Sequence, residues 1–207
     1  ATDNCAVQGV PTGVRSDGLA LIDPYPVGVT TIMWNVSDVN GNPAIVATQT
    51  VTVVDNEIPT FAVCPGNITR NNDPGVCGAN VTFLIIANDN CGPTTVSQSH
   101  PSGFLFPIGT TTVTATATDG AGQIATCTFT VTVTDNQVPV ITTSGPINVN
   151  NTPGLCGANI TVPPATAQDN CTIGSPVGTR SDGLLLTEMY PIGVTTITWS
   201  ISDASGN

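Results

Sequence analysis

The stretch that decides the fold is "TTVTATATDGAGQIATCTFTVTVTD", residues 111–135. Apolar residues alternate with threonine on both sides of a central "DGAG" segment. The apolar members are Val113, Ala115, Ala117, Phe129, Val131 and Val133. A period of two is typical of half-buried antiparallel strands that keep threonine on the solvent face. The glycine-rich segment between them predicts a turn.

The same phrases return along the chain with a period of about 80 residues, which indicates tandem repeats. "FPIGTTTVTATATDGAG" at 106–122 matches "YPVGVTTIMWNVSDVNGN" at 25–42 and "YPIGVTTITWSISDASGN" at 190–207. We therefore predict three segments. Residues 1–59 are the back part of a repeat, 60–139 a complete repeat, and 140–207 the front part of another. The outer two share a "RSDG" insertion that the central one lacks, so the chain is interpreted as a window on an alternating array.

Abundant Thr, Val, Gly, Pro and Asn favour strands and turns. About seven short strands per repeat predict Ig-like β-sandwiches, so the fold class is all-β. The joins "VVDNEIP" (53–59, the first join) and "VTDNQVP" (133–139, the second join) are short, and Pro59 and Pro139 stiffen them. We predict tandem sandwiches stacked end to end.

The strand–turn–strand block at 106–136, "FPIGTTTVTATATDGAG" followed by "CTFTVTVTDN", resembles the hyalin repeat. Hyalin repeats are Ig-like extracellular modules that occur in tandem in adhesive and surface proteins. The resemblance covers the whole chain. It implies a β-sandwich with an extracellular, adhesive or scaffolding role, and it does not imply a catalytic site.

The net charge is −11, and charged residues make up only 8% of the chain. Nucleic acids and anionic membranes require clustered cations, so neither is an expected partner. No apolar run is long enough to insert into a membrane. His100 is the one histidine, and no catalytic motif accompanies it. We expect neither an enzyme nor a cofactor.

Seven cysteines indicate disulfides and an oxidising, extracellular location. The four in the central repeat allow three pairings. The partial repeats have Gln49 in place of Cys127 and Ser144 in place of Cys64, and cysteines lost together are most simply partners. We favour three bonds, with the other pairings left open: Cys64–Cys127, Cys77–Cys91 and Cys156–Cys171.

Cys5 is then left over, and its partner is expected in a "GxCGAN" segment preceding residue 1. Trp34 and Trp199 stand where the central repeat has Ala115. We predict that these indoles fill the volume that the long-range cystine fills in the central repeat.

Glycosylation sequons predict sugar acceptors at Asn35, Asn67, Asn80, Asn150 and Asn159. Asn80 and Asn159 are the best candidates because they occupy one place in two repeats. Asn170 is a poorer acceptor, since it precedes a cysteine assigned to a disulfide.

No metal site is assigned. The alternative is calcium at the joins, held by Asp55, Asp135 and Asp119, but turn aspartates more often bond their own backbone. Each "RSDG" segment is either an adhesive tip or, as we favour, an Arg–Asp pair that tightens the loop.

The predicted function is a structural segment of an extracellular fibre or surface appendage, on the cell surface or in a secreted filament. Its partners are copies of itself or adjoining repeats, head to tail, with covalent glycans. The alternative is a ligand-binding adhesin ectodomain that recognises a receptor or glycan. One continuous polypeptide is preferred over short subunits that complete one another by strand exchange.

Overall fold

In the computed structural model, which describes residues 1–4 and 6–207, every regular element is a β-strand. The described residues contain no helix, so none could cross a membrane as a helix. The all-β prediction is confirmed. The expectation for Cys5 lies outside the described residues.

The first segment forms one antiparallel sheet in the order β1-β2-β3. Its strands are β1 (Thr12–Arg15), β2 (Gly28–Asn35) and β3 (Ala47–Val53). Strand β2 lies in the middle, so both of its edges are paired.

The central segment carries eight strands. They are β4 (Thr60–Val63), β5 (Ile68–Asn71), β6 (Gly78–Val81), β7 (Ile86–Asn88), β8 (Thr95–Gln98), β9 (Phe104–Pro107), β10 (Gly109–Thr118) and β11 (Ile124–Thr134). The main sheet has the order β5-β11-β10-β8, and two smaller sheets pair β4 with β7 and β6 with β9. Strand β5 runs parallel to β11.

The last segment forms three two-stranded sheets, β12-β14, β13-β16 and β15-β17, all antiparallel. Its strands are β12 (Val140–Thr142), β13 (Gly157–Ala158), β14 (Thr166–Gln168), β15 (Val177–Arg180), β16 (Tyr190–Pro191) and β17 (Ile197–Ser200).

The structure divides into two compact units. Unit 1 comprises Ala1–Ala62, Ile86–Ser97 and Thr116–Thr126. Unit 2 comprises Val63–Ile85, Gln98–Ala115 and Cys127–Asn207. The repeat boundaries after residues 59 and 139 stay predictions.

The predicted alternation in 111–135 is confirmed by burial. In β10 and β11 every second side chain, including Val113 and Val131, is buried, while the threonines between them are half-buried or exposed. In unit 2 Phe106 is fully buried, and the ring of Phe129 meets that of Phe83 edge to face at 4.9 Å.

The glycine of the repeated "CGAN" motif is required by a close backbone approach. A Cβ at Gly78 would lie 2.5 Å from the carbonyl oxygen of Phe106, and one at Gly157 would lie 2.6 Å from that of Tyr190. Any residue other than glycine at the start of this strand would therefore force the paired strand to move.

Replacing Phe106 by alanine should lower the free energy of unfolding by about 3–5 kcal/mol, because it empties a large buried volume. Phe104→Ala is the matched control on the same strand. Phe104 is 38% exposed, so its loss should cost less. Denaturant titration measures both, and equal losses would contradict this account of the core.

Candidate functional site

Strand β17 in the last segment is the counterpart of β2 in the first. The strands that pair with them, β15 and β1, each end at the arginine of an "RSDG" segment, and the cross-strand partners match. The pairs are Arg180↔Ile197 and Gly178↔Trp199 in the last segment, and Arg15↔Ile32 and Gly13↔Trp34 in the first. The two segments thus build the same strand pair.

The opposite edges of these two strands differ. Strand β3 lies along the far edge of β2, with Gln49 opposite Ile32 and Ala47 opposite Trp34. Within the described residues β17 pairs only with β15. Accordingly Ile32 is 4% exposed, whereas its counterpart Ile197 is only half-buried. The far edge of β17 is open.

A groove of about 670 Å³, lined by both polar and apolar residues, lies beside β17, within unit 2. Its apolar lining includes Ile147, Val149, Ile160, Val162, Ile197 and Trp199. A groove that offers apolar side chains beside an unpaired strand edge can accept an additional strand: the edge offers hydrogen bonds and the groove takes alternate side chains.

Each "RSDG" loop closes around a buried arginine. Arg15 is 2% exposed, and its Nε donates to Asp17 Oδ1 at 2.9 Å. The same guanidinium donates to three loop carbonyls, those of Ala20, Asp23 and Pro24. Its Cζ lies 3.8 Å from the centre of the Tyr25 ring.

The loop of Arg180 repeats this arrangement. Its guanidinium donates to Asp182 and to the carbonyls of Leu185, Glu188 and Met189, and it lies 3.7 Å above the Tyr190 ring. The favoured prediction, that the Arg–Asp pair tightens the loop, is confirmed. With the guanidinium buried, neither arginine is free to bind a ligand.

At the second join the structure gathers three carboxylates. Ligand oxygens of Asp135, Asp169 and Asp203 lie within 4.8 Å of one another, all in unit 2. Asn170 Nδ2 donates to Asp135 Oδ1 at 3.3 Å and to the Val76 carbonyl at 3.1 Å. Side chains of the "DNC" turn thus hold the join.

The first join, in unit 1, gathers Asp55, Asp89 and Cys91 within the same distance. Asp119 caps its own turn, accepting from the backbone N–H groups of Ala121 and Gln123. Sequence reasoning named Asp55, Asp135 and Asp119 for calcium but missed Asp89 and Asp169. The thrice-repeated "DNC" was the signal that could have found them. Calcium at the joins stays a prediction.

The predicted Cys64–Cys127 bond is present. The pairing of Cys77 with Cys91 and of Cys156 with Cys171 is wrong: Cys77 is bonded to Cys171, and Cys91 and Cys156 are exposed and free. The reason is the hydrogen bonding of Asn170 to Val76 and Asp135, which brings the "DNC" turn of the last segment against the "GVCG" turn of the central one.

His100 packs into an aromatic group. Its ring lies 4.9 Å from that of Phe104 and 5.7 Å from that of Phe106, and Nδ1 is 3.1 Å from Ser99 Oγ. These contacts assign the histidine to packing beside the core.

The profile of the HYR domain matches residues 54–133. The chain is 34% identical over its whole length to hyalin of Strongylocentrotus purpuratus, and 35% identical over 95% of its length to hyalin of Lytechinus variegatus. The chain belongs to the hyalin-repeat family. It spans only 17% and 39% of the length of those two relatives.

Among solved structures, the extracellular cadherin domains 1–5 of protocadherin gamma B2 align with the whole chain, at 13% identity and a TM-score of 0.36. The chain covers 45% of that structure. This similarity is too low to define the fold of the hyalin repeats.

The five predicted sugar acceptors of these hyalin repeats, Asn35, Asn67, Asn80, Asn150 and Asn159, are all exposed. Asn170 is half-buried, and its amide nitrogen already donates two hydrogen bonds to the join. Glycosylation stays a prediction for the first five, and the structure gives a reason for disfavouring Asn170.

The arginine-filled loops predict acid sensitivity. Hydrogen bonds from Arg15 and Arg180 lower the pKa of Asp17 and Asp182. The pKa of each aspartate in the folded protein therefore lies below its value of about 3.9 in the unfolded chain. The stability that the Arg–Asp pairs add is fully present above about pH 3.9 and is lost as the pH falls through the folded pKa. The Asp17→Asn, Asp182→Asn variant should melt below the wild type at neutral pH, and the difference should shrink in acid. A difference that is constant with pH would contradict this.

The Cys91 thiol should react slowly. Although Cys91 is exposed, its pKa is raised by partial desolvation, then by the charge of Asp55 and the hydrogen bond that Asp55 accepts from the thiol, and then by the charges of Asp89 and Glu57. In the isolated chain, where Cys91 is free, it should therefore be alkylated at about pH 8 more slowly than a small free thiol, whose pKa is about 8.5. Asp55→Asn should speed the reaction, as measured by mass spectrometry of the Cys91 peptide. An unchanged rate in that variant would contradict the assignment.

Proposed function

We propose that this chain is a structural segment of an extracellular fibre or surface appendage made of hyalin repeats in series. The repeats stack as Ig-like sandwiches, and an adjoining repeat unit supplies a strand of the β3 type to the open edge of β17. The observation that carries the proposal is the match between β2 and β17, together with the strand that only β2 has on its far edge.

The register of β3 on β2 defines what the groove would receive. Ala47 lies opposite Trp34 and Gln49 opposite Ile32, so the equivalent residues of the incoming strand would lie opposite Trp199 and Ile197. Val51 and Val53 of β3 alternate with threonine. Such a strand presents threonine on one face and apolar side chains on the other, and the apolar face suits the aliphatic residues that line part of the groove.

The physical gain has two parts. An unpaired strand edge leaves backbone groups that a neighbouring chain can pair, and adding a strand satisfies them. Covering the apolar side chains of the groove removes their surface from water, which stabilises the complex by about 25 cal/mol per Å² of apolar surface buried. Ile197 would then reach the burial that Ile32 has.

A mechanical role suits the loops and the joins. Both "RSDG" loops are alike, and their guanidinium groups are buried, which supports a structural role over recognition of a receptor. Two disulfides are built into the described residues, which supports an oxidising, extracellular location.

A peptide of residues 43–56, "PAIVATQTVTVVDN", tests the proposal. In a Trp34→Phe background Trp199 is the remaining tryptophan, so its fluorescence reports the groove. Adding the peptide should shift this emission to the blue, saturably, as the indole is buried. A peptide with Val51→Asp and Val53→Asp should bind at least about tenfold more weakly, or about 1.4 kcal/mol.

Two matched protein variants locate the binding. Ile197→Asp should abolish it, because Ile197 lines the groove. Val194→Asp should leave it unchanged, since Val194 is 96% exposed. No shift with the wild-type peptide, or equal shifts with both peptides, would refute the proposed function.

A further inference from the structure

Cys77 and Cys171 form the disulfide at the second join. Cys156 is the counterpart of Cys77 in the repeat and Cys91 is the counterpart of Cys171, and both are exposed free thiols. We propose that each forms a disulfide to an adjoining hyalin repeat, in the same arrangement as Cys77–Cys171. This inference rests on the proposed function, because it requires repeats in series.

Cys156 lies in the same turn as Cys77. In the central segment Asp73 N–H donates to the Gly78 carbonyl at 2.7 Å, and in the last segment Thr152 N–H donates to the Gly157 carbonyl at 2.8 Å. The strand that follows each turn also pairs in the same register, Gly78 with Pro107 and Gly157 with Pro191. The backbone therefore presents both cysteines alike.

Cys91 lies in the same turn as Cys171. Asp89 accepts from the Cys91 N–H at 2.8 Å, and Asp169 accepts from the Cys171 N–H at 3.0 Å. At the join beside each turn, a side-chain amide donates a hydrogen bond to the backbone carbonyl of the join aspartate. Gln123 Nε2 donates to the Asp55 carbonyl, and Asn207 Nδ2 donates to the Asp135 carbonyl, each at 3.1 Å.

The direction of the existing bond identifies the partners. Cys77 belongs to a "GxCG" turn, and its partner Cys171 belongs to the "DNC" turn of the segment that follows. The partner of Cys156 is therefore a "DNC" cysteine of a following repeat, and that of Cys91 a "GxCG" cysteine of a preceding repeat. In an alternating series, the repeat that follows the last segment is of the central type, so the partner of Cys156 is the counterpart of Cys91 in that repeat. By the same reasoning, the partner of Cys91 is the counterpart of Cys156 in the preceding repeat.

Formation of the bond is an oxidation. Two thiols lose two protons and two electrons as one S–S bond forms, and a small-molecule or protein disulfide accepts them and is reduced to two thiols. Both sulfurs lie on exposed residues, so such an oxidant can reach them. The raised pKa of Cys91 makes this exchange slow at neutral pH without preventing it.

Disulfide mapping of the native protein tests the inference. Free thiols are first blocked by alkylation, and the protein is then digested without reduction and analysed by tandem mass spectrometry. The Cys91 peptide should be joined to a "GxCG" peptide and the Cys156 peptide to a "DNC" peptide. The Cys64–Cys127 peptide pair is the internal control for thiol exchange during handling.

Alkylated Cys91 and Cys156 would overturn the inference, and so would bonds from Cys77 to Cys91 and from Cys156 to Cys171. Either result would leave the proposed function standing if the 43–56 peptide binds, so the two failures are distinguishable. Denaturing intact mass before and after reduction then separates two sources of the partner. A drop to about 21 kDa shows bonds between separate chains, whereas an unchanged larger mass shows bonds within one polypeptide.

Discussion

Hydrogen bonding at the edges of strands governs this molecule. Backbone N–H and C=O groups need hydrogen-bond partners, and β2 finds them in neighbouring strands on both sides. Strand β17 has the same sequence pattern and the same inner neighbour but an open outer edge. The half-burial of Ile197 and the groove beside it accompany this open edge.

The joins add a second constraint. Between the last strand of one segment and the first of the next there is little chain, and the side chains of the "DNC" turns occupy the space beside it. At the second join Asn170 and Asn207 donate to Asp135, and Cys171 is bonded to Cys77. Hydrogen bonds and a covalent bond at the join would limit its bending, as the proposed fibre segment requires.

Local features were predictable from the sequence, and long-range ones were not. The alternation of Val113 and Val131 with threonine determined the strands, because a period of two depends only on neighbours along the chain. The Arg15–Asp17 pair was predictable for the same reason, since the two residues are close in sequence. The Cys64–Cys127 bond was predictable because the partial repeats lack cysteine at both of these positions, and the two cysteines of a disulfide are expected to be lost together.

The Cys77–Cys171 bond was missed because it joins two repeats, and comparing repeats one at a time reveals only bonds within each. The same limit hid Asp169, which meets Asp135 of the preceding repeat. Trp34 was predicted to replace the cystine in volume. Its Nε1 donates to Gln49, the residue that stands in place of Cys127, at 3.1 Å. The half-buried indole therefore lies beside that position, and the exchange of volume stays a prediction.

Amide hydrogen exchange at Ile197 and Trp199 tests the central claim most directly, because in the register of β15 on β17 their N–H groups point to the open outer edge. It should be measured by mass spectrometry on the isolated 207-residue chain and on native assembled material. The account predicts fast exchange in the isolated chain and strong protection in the assembly, with β2 protected in both. Equal protection of β17 in the two samples would contradict it.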